Sequence, residues 1–94
     1  MADVMLFAVI CDDKPGAGET RKTNRAAHLD YIRATGVVAQ AGPLLDTDGE
    51  MAGSLLILEV PDRAAAEAWA ASDPYGLAGL FARVDVRAWN RVIG

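Results

Sequence analysis

The stretch "MAGSLLILEV", Met51–Val60, is the clearest strand pattern in the chain, and the other elements can be placed by working outward from it. A short apolar run bounded by turn residues is typical of a buried strand. The turn signal "DTDGE" (46–50) precedes it, and "VVAQAGPLL" (37–45), a run led by β-branched residues, precedes that turn. The two runs predict a β-hairpin. We expect a bend at Gly42-Pro43, because proline has no amide hydrogen to give to a ladder.

Helical patterns flank this hairpin on both sides. Downstream, "PDRAAAEAWAAS" (61–72) is rich in alanine and offers Asp62 as an N-cap, and this helix is expected to stop before Pro74. Upstream, residues 20–35 show helical spacing, and Gly36 supplies the glycine that ends many helices. The hairpin is therefore predicted to lie between two helices in the chain order.

Two further strands complete the pattern. Val4–Cys11 is an apolar run that ends in polar, Gly- and Pro-rich sequence, and "LFARVDVRAWNRVIG" (80–94) alternates after a loop or short turn at 74–79. The resulting order, β-α-β-β-α-β, is typical of a ferredoxin-like α+β fold, with an antiparallel sheet and both helices on one face. A chain of 94 residues is expected to form a single domain over residues 1–94.

The faces of the strands predict how the sheet is covered. Alternate side chains of the last strand should lie on opposite faces of the sheet. The set expected to face the helices is Ala82, Val84, Val86 and Ala88. The set expected to face away is Phe81, Arg83, Asp85, Arg87 and Trp89. The first and third strands are apolar on both faces, whereas the two helices cover only one. Because a soluble monomer rarely exposes such an apolar face, we expect a twofold homodimer that packs sheet against sheet. The alternative is a monomer with a thinly covered sheet.

Composition excludes several classes of partner and cofactor. The net charge is −4 and there is no dense cluster of Lys and Arg, which argues against nucleic acid and anionic membrane surfaces. One His and one Cys cannot form a usual zinc site, and no P-loop or dinucleotide fingerprint is present, so we expect no metal and no organic cofactor. The lone Cys11 excludes an intrachain disulfide, and no apolar run approaches the roughly 18 residues of a membrane span, so we expect a cytoplasmic protein.

The first predicted helix carries the first candidate site residues. Arg25, His28, Leu29 and Ile32 fall on one stripe, with the leucine and the isoleucine as expected core anchors. A stripe that turns polar at one end indicates the edge of a pocket, where His28 could hold or release a proton and Arg25 could bind a carboxylate or an oxyanion. The alternative is a boundary histidine bonded to a backbone carbonyl, with the arginine in solvent.

The turn after the second predicted helix carries the next candidates. Asp73 ends that helix, which should lie beside the first, so its carboxylate could reach His28 and fix the tautomer of the ring. Tyr75 could line the same pocket. The local alternatives are an Asp73 that bonds only the turn backbone and a Tyr75 that is merely a partly buried aromatic residue.

The hairpin contributes the remaining candidates. Gly42, in "AGPLL", permits close approach of a ligand, and backbone amides near it could bind an anion; the alternative is a simple bulge. Ser54 could present a hydroxyl from the third strand, and we expect it to face the helix layer together with Leu56 and Leu58.

Four segments together resemble the YCII-related family: "RAAHLDYI", "GVVAQAGPLL", "GSLLILEV" and "AEAWAASDPYGLAGLFARVDVRAWN", in this order over about Met5 to Arg91. The family's features are an R-x-x-H, a G-P after the second strand and a D-P-Y-like turn before the last strand. The resemblance implies a dimeric α/β-barrel of ferredoxin-like subunits and a cleft with a His and an Asp proposed as catalytic. By position these are His28 and Asp73, and the remaining matches are Gly42, Pro43, Ser54, Pro74 and Tyr75.

Three functions remain open at this stage. The first is a cofactor-independent enzyme in which His28 and Asp73 perform acid–base chemistry (elimination, dehydrochlorination or isomerisation) on a small polar or anionic substrate, aromatic ones included. The resemblance contributes the dehydrochlorination, which is an activity of one enzyme similar to the family. The second is a small-ligand binding or sensing module with the same cleft and no turnover. The third is an interaction domain that uses its apolar sheet face.

Overall fold

The computed structural model describes residues 5–94 and has four strands and three helices in this range. In chain order the elements are β1 (Met5–Asp13), α1 (Gly18–Thr35), β2 (Val38–Leu45), β3 (Met51–Val60), α2 (Arg63–Ala71), α3 (Pro74–Leu77) and β4 (Phe81–Trp89). The predicted elements are all present, and the loop or short turn predicted at 74–79 contains the single helical turn α3. Val4, the predicted first residue of β1, lies outside the described residues.

The four strands form one antiparallel sheet in the order β2-β3-β1-β4. Together with the βαββαβ chain order this is the ferredoxin-like α+β fold that the sequence predicts. The core lies on one face of the sheet, where alternate residues of β1 and β3 meet α2. Its buried members are Phe7, Val9, Cys11, Leu56, Leu58, Val60, Ala66 and Trp69. Residues of α1 also pack on this cluster, so both long helices cover the same face.

Local signals in the sequence set the ends of the helices and the hairpin turn. The Asp62 carboxylate accepts a hydrogen bond from the Ala65 amide at 2.8 Å, as an N-cap does. Gly36 adopts the left-handed conformation after α1, with φ of 66°. In the hairpin turn, the Asp46 carboxylate accepts from the amides of Asp48 and Glu50.

The predicted bend at Gly42-Pro43 is not where β2 changes its pairing. The register is continuous from Gln40 to Leu44, and the shifts lie on either side of this segment, between Val38 and Gln40 and between Leu44 and Leu45. Proline needs no bend here because β2 is an edge strand of the sheet, where a missing amide hydrogen is tolerated.

The predicted alternation of β4 is wrong at its first residues. Asp12 pairs with Arg83 but Asp13 pairs with Phe81, so Ala82 is an extra residue at a bulge. The bulge moves Phe81 to the helix face, where it packs on the core cluster instead of pointing away with Trp89. Beyond the bulge the predicted faces hold, because Val84 pairs with the core residue Cys11.

The face of the sheet away from the helices is open in the single chain. Ala8 and Ile57 pair at its centre and are shielded by their neighbours, whereas Leu55 and Trp89 are 37% and 39% exposed. The homodimer expected to cover this face remains a prediction. Among residues 5–94, no helix is long and apolar enough to cross a membrane.

Candidate functional site

The buried residues of α1 are polar ones, Arg21 and His28. Their spacing of seven places them two turns apart on one face of the helix. Leu29 and Ile32, the expected core anchors, are only half-buried and line a cavity beside His28. The prediction of core anchors on this stripe is confirmed in part, because Ile32 packs against the core cluster, but the fully buried side chains of the helix are the two polar ones.

His28 and Asp73 are in direct contact. The imidazole Nδ1 lies 2.7 Å from Asp73 Oδ1, and both side chains are almost fully buried. Asp73 is also the N-cap of α3, because the same Oδ1 accepts from the Tyr75 amide at 3.0 Å. The local turn role and the contact with the imidazole, which the sequence offers as alternatives, are combined in one carboxylate.

The contact fixes which nitrogen of the ring is available for chemistry. An ionised carboxylate only accepts hydrogen bonds, so Nδ1 of His28 carries the proton that is donated to Asp73. In the neutral ring, Nε2 is then the nitrogen with a lone pair. Nε2 makes no hydrogen bond to another side chain of residues 5–94, and no fully buried side-chain nitrogen in that range lacks a partner, so Nε2 is open to the cavity.

Tyr75 stacks on the imidazole. The ring centroids of His28 and Tyr75 are 3.9 Å apart with an interplanar angle of 15°, and Phe81 touches the tyrosine ring edge-on. Burial raises the pKa of the Tyr75 hydroxyl above its usual value, although the positive charge of Arg21 opposes this. The hydroxyl is therefore protonated at neutral pH and can donate a hydrogen bond.

Arg21 is a site residue that the sequence prediction missed. Its Nε and Nη2 form a two-point contact with the Asp13 carboxylate at 2.7 and 2.9 Å. Nη2 also donates to the Gly53 carbonyl at 2.7 Å and to Ser54 Oγ at 2.9 Å. Burial would lower the pKa of Arg21, but the bonds and charge of Asp13 outweigh it and raise that pKa.

The sequence does contain an indication that Arg21 belongs to the same site as His28. It precedes His28 by seven residues and so lies on the same helical stripe, while Asp13 ends the preceding strand. The Arg21 guanidinium carbon lies 4.7 Å from the centre of the Tyr75 ring. Since His28 contacts the same ring from two turns along α1, the tyrosine fills the space between the two buried polar residues of that helix.

These groups line a cavity of about 210 Å³ between α1 and the β2–β3 hairpin. Its walls are Arg21, Arg25, His28, Leu29, Ile32, Ala41, Gly42, Pro43, Met51, Ser54, Leu56 and Tyr75. An apolar cavity of about 150 Å³ accommodates benzene, so this volume suits a molecule with a single ring. The mixed polarity of these walls is typical of a small-molecule site.

Most residues predicted for the site line this cavity, but they differ in position. Arg25 is exposed at the rim and forms no ion pair with a carboxylate of residues 5–94. Gly42 and Pro43 form the β2 wall, and the buried Ser54 faces the helix layer as expected. Asp73 lies behind the imidazole, and Pro74 is the first residue of α3 and does not line the cavity.

A buried cysteine and a second groove lie outside this cavity. Burial, followed by the negative charges of Asp73 and Asp13, raises the pKa of the Cys11 thiol to about 12, so this cysteine is inert at neutral pH. A wider and more open groove of about 560 Å³ lies between α2 and β4. Its polar side chains are Arg63, Glu67 and Asp85, and none of the residues predicted for the site lies there.

In residues 5–94 no three His, Cys, Asp or Glu side chains are grouped as metal ligands are.

Comparisons with known proteins show strong similarity over almost the whole chain. The model of the YCII-related domain matches residues 5–90. Protein YciI of Escherichia coli O6:H1 is 33% identical over 97 aligned residues, which cover 94% of this chain and 99% of that protein. An uncharacterized protein of Haemophilus influenzae is 32% identical, with the same coverage of 94% and 99%.

Among solved structures, the chain is similar to 5-chloro-2-hydroxyhydroquinone dehydrochlorinase (TftG) from Burkholderia phenoliruptrix, determined in complex with 2,5-dihydroxybenzoquinone. The TM-score is 0.85 at 34% identity, covering 93% of this chain and 95% of that one. SnoaB, a cofactor-independent oxygenase from Streptomyces nogalater, has a TM-score of 0.56 at 13% identity, covering 99% and 97%. The latter similarity shows a shared fold alone.

Proposed function

The chain belongs to the YCII-related family, and on that premise we propose that it is a cofactor-independent enzyme that performs acid–base chemistry on a small, anionic, single-ring substrate. His28 is the base and acid, and Asp73 orients it. The observation that carries this proposal is the contact of 2.7 Å between the two side chains at the wall of a cavity. A buried carboxylate behind an imidazole holds the ring in one tautomer and stabilises the imidazolium formed when Nε2 takes a proton.

The charges of the cavity support an anionic substrate. Arg21 is balanced by Asp13, whereas Arg25 at the rim has no carboxylate partner in residues 5–94. A guanidinium in this position can bind a carboxylate or a phenolate at the mouth of the cavity. Gly42 and Pro43 offer only backbone and apolar surface on the opposite wall, which suits the face of a planar ring.

The proposed reaction is an elimination or an isomerisation. Nε2 of His28 removes a proton from the substrate, and the electron pair of the broken bond forms a new double bond. In a dehydrochlorination the pair displaces chloride from the ring, so that the proton and chloride are lost from one molecule and no oxidant is needed. In an isomerisation the imidazolium returns the proton to another atom. The similarity to a dehydrochlorinase at 34% identity favours the first outcome.

Turnover of 5-chloro-2-hydroxyhydroquinone, measured by chloride release under anaerobic conditions, tests the proposal. We expect His28→Asn to lower the rate by about 10²- to 10⁴-fold, which is typical of a lost general base, and Asp73→Asn to lower it by about 10²-fold or more. Asp30→Asn is the matched control, because that carboxylate is exposed on α1 with its side chain 80% accessible. Full turnover by His28→Asn would contradict the mechanism.

The binding-module alternative has its own test. Ligand-observed NMR with a set of single-ring hydroxy and carboxylic acids distinguishes binding from turnover, because only an enzyme changes the covalent structure of a ligand. Compounds that bind in the cavity and remain unchanged, none of them being converted, would favour a sensing or storage role over catalysis.

We also propose that two copies of the chain pack through the open sheet face. Leu55, which is 37% exposed, lies on that face beside Ile57 and opposite Ile10, so an apolar patch faces outward from the sheet. Leu55→Glu places a charge within the proposed interface and should convert the dimer to a monomer in light scattering. Leu77→Glu is the matched control, because Leu77 is 73% exposed on α3, on the helix side of the sheet. A wild-type chain that is monomeric at micromolar concentration would contradict the proposal.

A further inference from the structure

We propose that Arg21, Ser54 and Tyr75 form an oxyanion-binding subsite in the wall of the His28 cavity, which takes an enolate or phenolate oxygen of a planar substrate. Its role in catalysis rests on the function proposed above. The subsite itself is a binding property that can be measured without turnover. Three observations carry the inference, one from each side chain.

Arg21 is buried, and some of its N–H groups are not used by Asp13, Gly53 or Ser54. Its side chain is only 7% accessible, and Nε and Nη2 are occupied by Asp13, Gly53 and Ser54. Nη1 takes part in none of these bonds, and on the cavity side the guanidinium interacts with the Tyr75 hydroxyl, an interaction that acts to lower the pKa of that hydroxyl. Since no fully buried side-chain nitrogen in that range lacks a partner, Nη1 is accessible from the cavity. An arginine fixed at two points by a carboxylate presents the remaining N–H groups without reorganisation.

Ser54 has a free hydroxyl hydrogen. Its Oγ accepts the bond from Arg21 Nη2 at 2.9 Å, and the hydroxyl donates to no acceptor in residues 5–94. A serine hydroxyl has one donor as well as its acceptor positions. Because the arginine uses an acceptor position of Ser54, the O–H of this buried residue is directed elsewhere, and the cavity is the space that it lines.

Tyr75 is the third donor. Its ring is clamped by the His28 stack at 3.9 Å and by the Arg21 guanidinium carbon at 4.7 Å. Its hydroxyl donates to no acceptor in residues 5–94 and is the polar end of a side chain that lines the cavity. A ring fixed on both sides holds its hydroxyl in one direction, which is what preorganised stabilisation of a developing charge requires.

The three groups share a surplus of donors and carry little net charge. Asp13 neutralises Arg21, while Ser54 and Tyr75 are neutral. Such a set stabilises one developing oxyanion instead of attracting a preformed multiply charged group, which distinguishes it from the unpaired Arg25 at the rim. When Nε2 of His28 removes a proton next to a carbonyl, the electron pair moves onto the carbonyl oxygen, and the subsite binds the resulting enolate. Return of the pair then expels a neighbouring leaving group or takes a proton back at another carbon.

Binding of 4-nitrophenol, followed by the absorbance of its phenolate, tests the subsite. The measurement uses the unaltered 94-residue chain, so that the His28 ring still stacks on Tyr75. We expect the phenolate to bind about tenfold more tightly than the phenol, which lowers the pKa of the bound probe by about one unit. High salt should leave most of this preference intact, because buried donors are screened far less than a rim charge such as Arg25.

Matched variants show which hydrogen-bond donors of the subsite cause the preference for phenolate over phenol. Tyr75→Phe and Ser54→Ala should each reduce it about threefold or more, whereas Tyr31→Phe should not change it, because the Tyr31 hydroxyl bonds to the Trp69 carbonyl outside the cavity. Thermal unfolding of each variant checks that it is folded. Three results would overturn the subsite. The first is equal binding of phenol and phenolate, and the second is no binding of the phenolate at millimolar concentration. The third is an unchanged preference for the phenolate in the double variant Tyr75→Phe and Ser54→Ala.

The two proposals fail independently. If chloride release depends on His28 while the probe shows no phenolate preference, the acid–base function stands and the subsite does not. If the preference is present and depends on Tyr75 and Ser54 while no compound is converted, the subsite stands as a binding site and the catalytic proposal fails.

Discussion

The two long helices cover the same face of one sheet, yet they bury opposite kinds of side chain. α2 buries Ala66 and Trp69, which extend the apolar core over β1 and β3. α1 buries Arg21 and His28, whose partners are carboxylates at the end of β1 and at the start of α3. We call α2 and the core beneath it the α2 half, and α1 with its polar contacts the α1 half. The α2 half stabilises the fold through apolar packing, whereas the α1 half forms a polar cavity.

The halves are joined where the C-terminal ends of the helices meet. Trp69 Nε1 donates to Thr35 Oγ1 at 2.9 Å, and the Tyr31 hydroxyl donates to the Trp69 carbonyl at 2.7 Å. The rings of Tyr31 and Trp69 also pack at 4.7 Å. These contacts hold the end of α2, and therefore the turn that carries Asp73, against the helix that carries His28.

The largest expected effect comes from removing the apolar anchor of the α2 half. Trp69→Ala leaves a cavity in the core and breaks the bond to Thr35, so we expect a loss of about 4 kcal/mol in the free energy of unfolding. Urea denaturation followed by circular dichroism measures it. A loss below about 1 kcal/mol would show that the core does not depend on the α2 half as described.

A slightly smaller loss is expected from breaking the buried ion pair in the α1 half. Asp13→Ala leaves the Arg21 guanidinium without its carboxylate, and a buried charge that loses its partner destabilises by about 3 kcal/mol. Arg21→Met removes the charge itself, so the double variant should regain part of the loss of Asp13→Ala. Additive losses in this double-mutant cycle would contradict a coupled pair.

The smallest expected effect is a dependence of the free energy of unfolding on pH, which comes from Cys11 in the core. The folded state keeps the Cys11 thiol protonated up to a pKa of about 12, against an ordinary value of 9.0. Between these two values the unfolded chain binds fewer protons than the folded one, so stability falls as the pH rises, by at most about 1.4 kcal/mol per pH unit from this group. Below pH 9 this contribution is constant.

Cys11→Ala is the matched variant for that measurement. The slope of unfolding free energy between pH 9 and pH 10.5 should be less steep than in the parent chain, although the raised pKa of Tyr75 and Tyr31 leaves part of it in place. An unchanged slope, or rapid alkylation of the native thiol by iodoacetamide at pH 8, would show that Cys11 is not the buried group described here.

The sequence predicts the element order and most of the candidate site, and the reasons for its errors are physical. Turn residues and caps such as Asp62 and Gly36 act locally, so their effect is visible in the sequence. The bulge that turns Phe81 inward depends on the pairing of β4 with β1, which periodicity along a single strand does not contain. Arg21 was missed because a buried charge is improbable until its partner is known.

Local chemistry along the chain determines where the strands and helices of this protein begin and end, and places His28, Arg25, Asp73 and Tyr75 on elements that should meet. The tertiary structure alone decides which of them face the cavity. It turns His28 onto Asp73 and leaves Arg25 at the rim, and it brings the unsuspected Arg21 inward because Asp13, Gly53 and Ser54 converge there from two different strands. Such convergence depends on residues up to 45 positions apart in the sequence, so no local pattern encodes it.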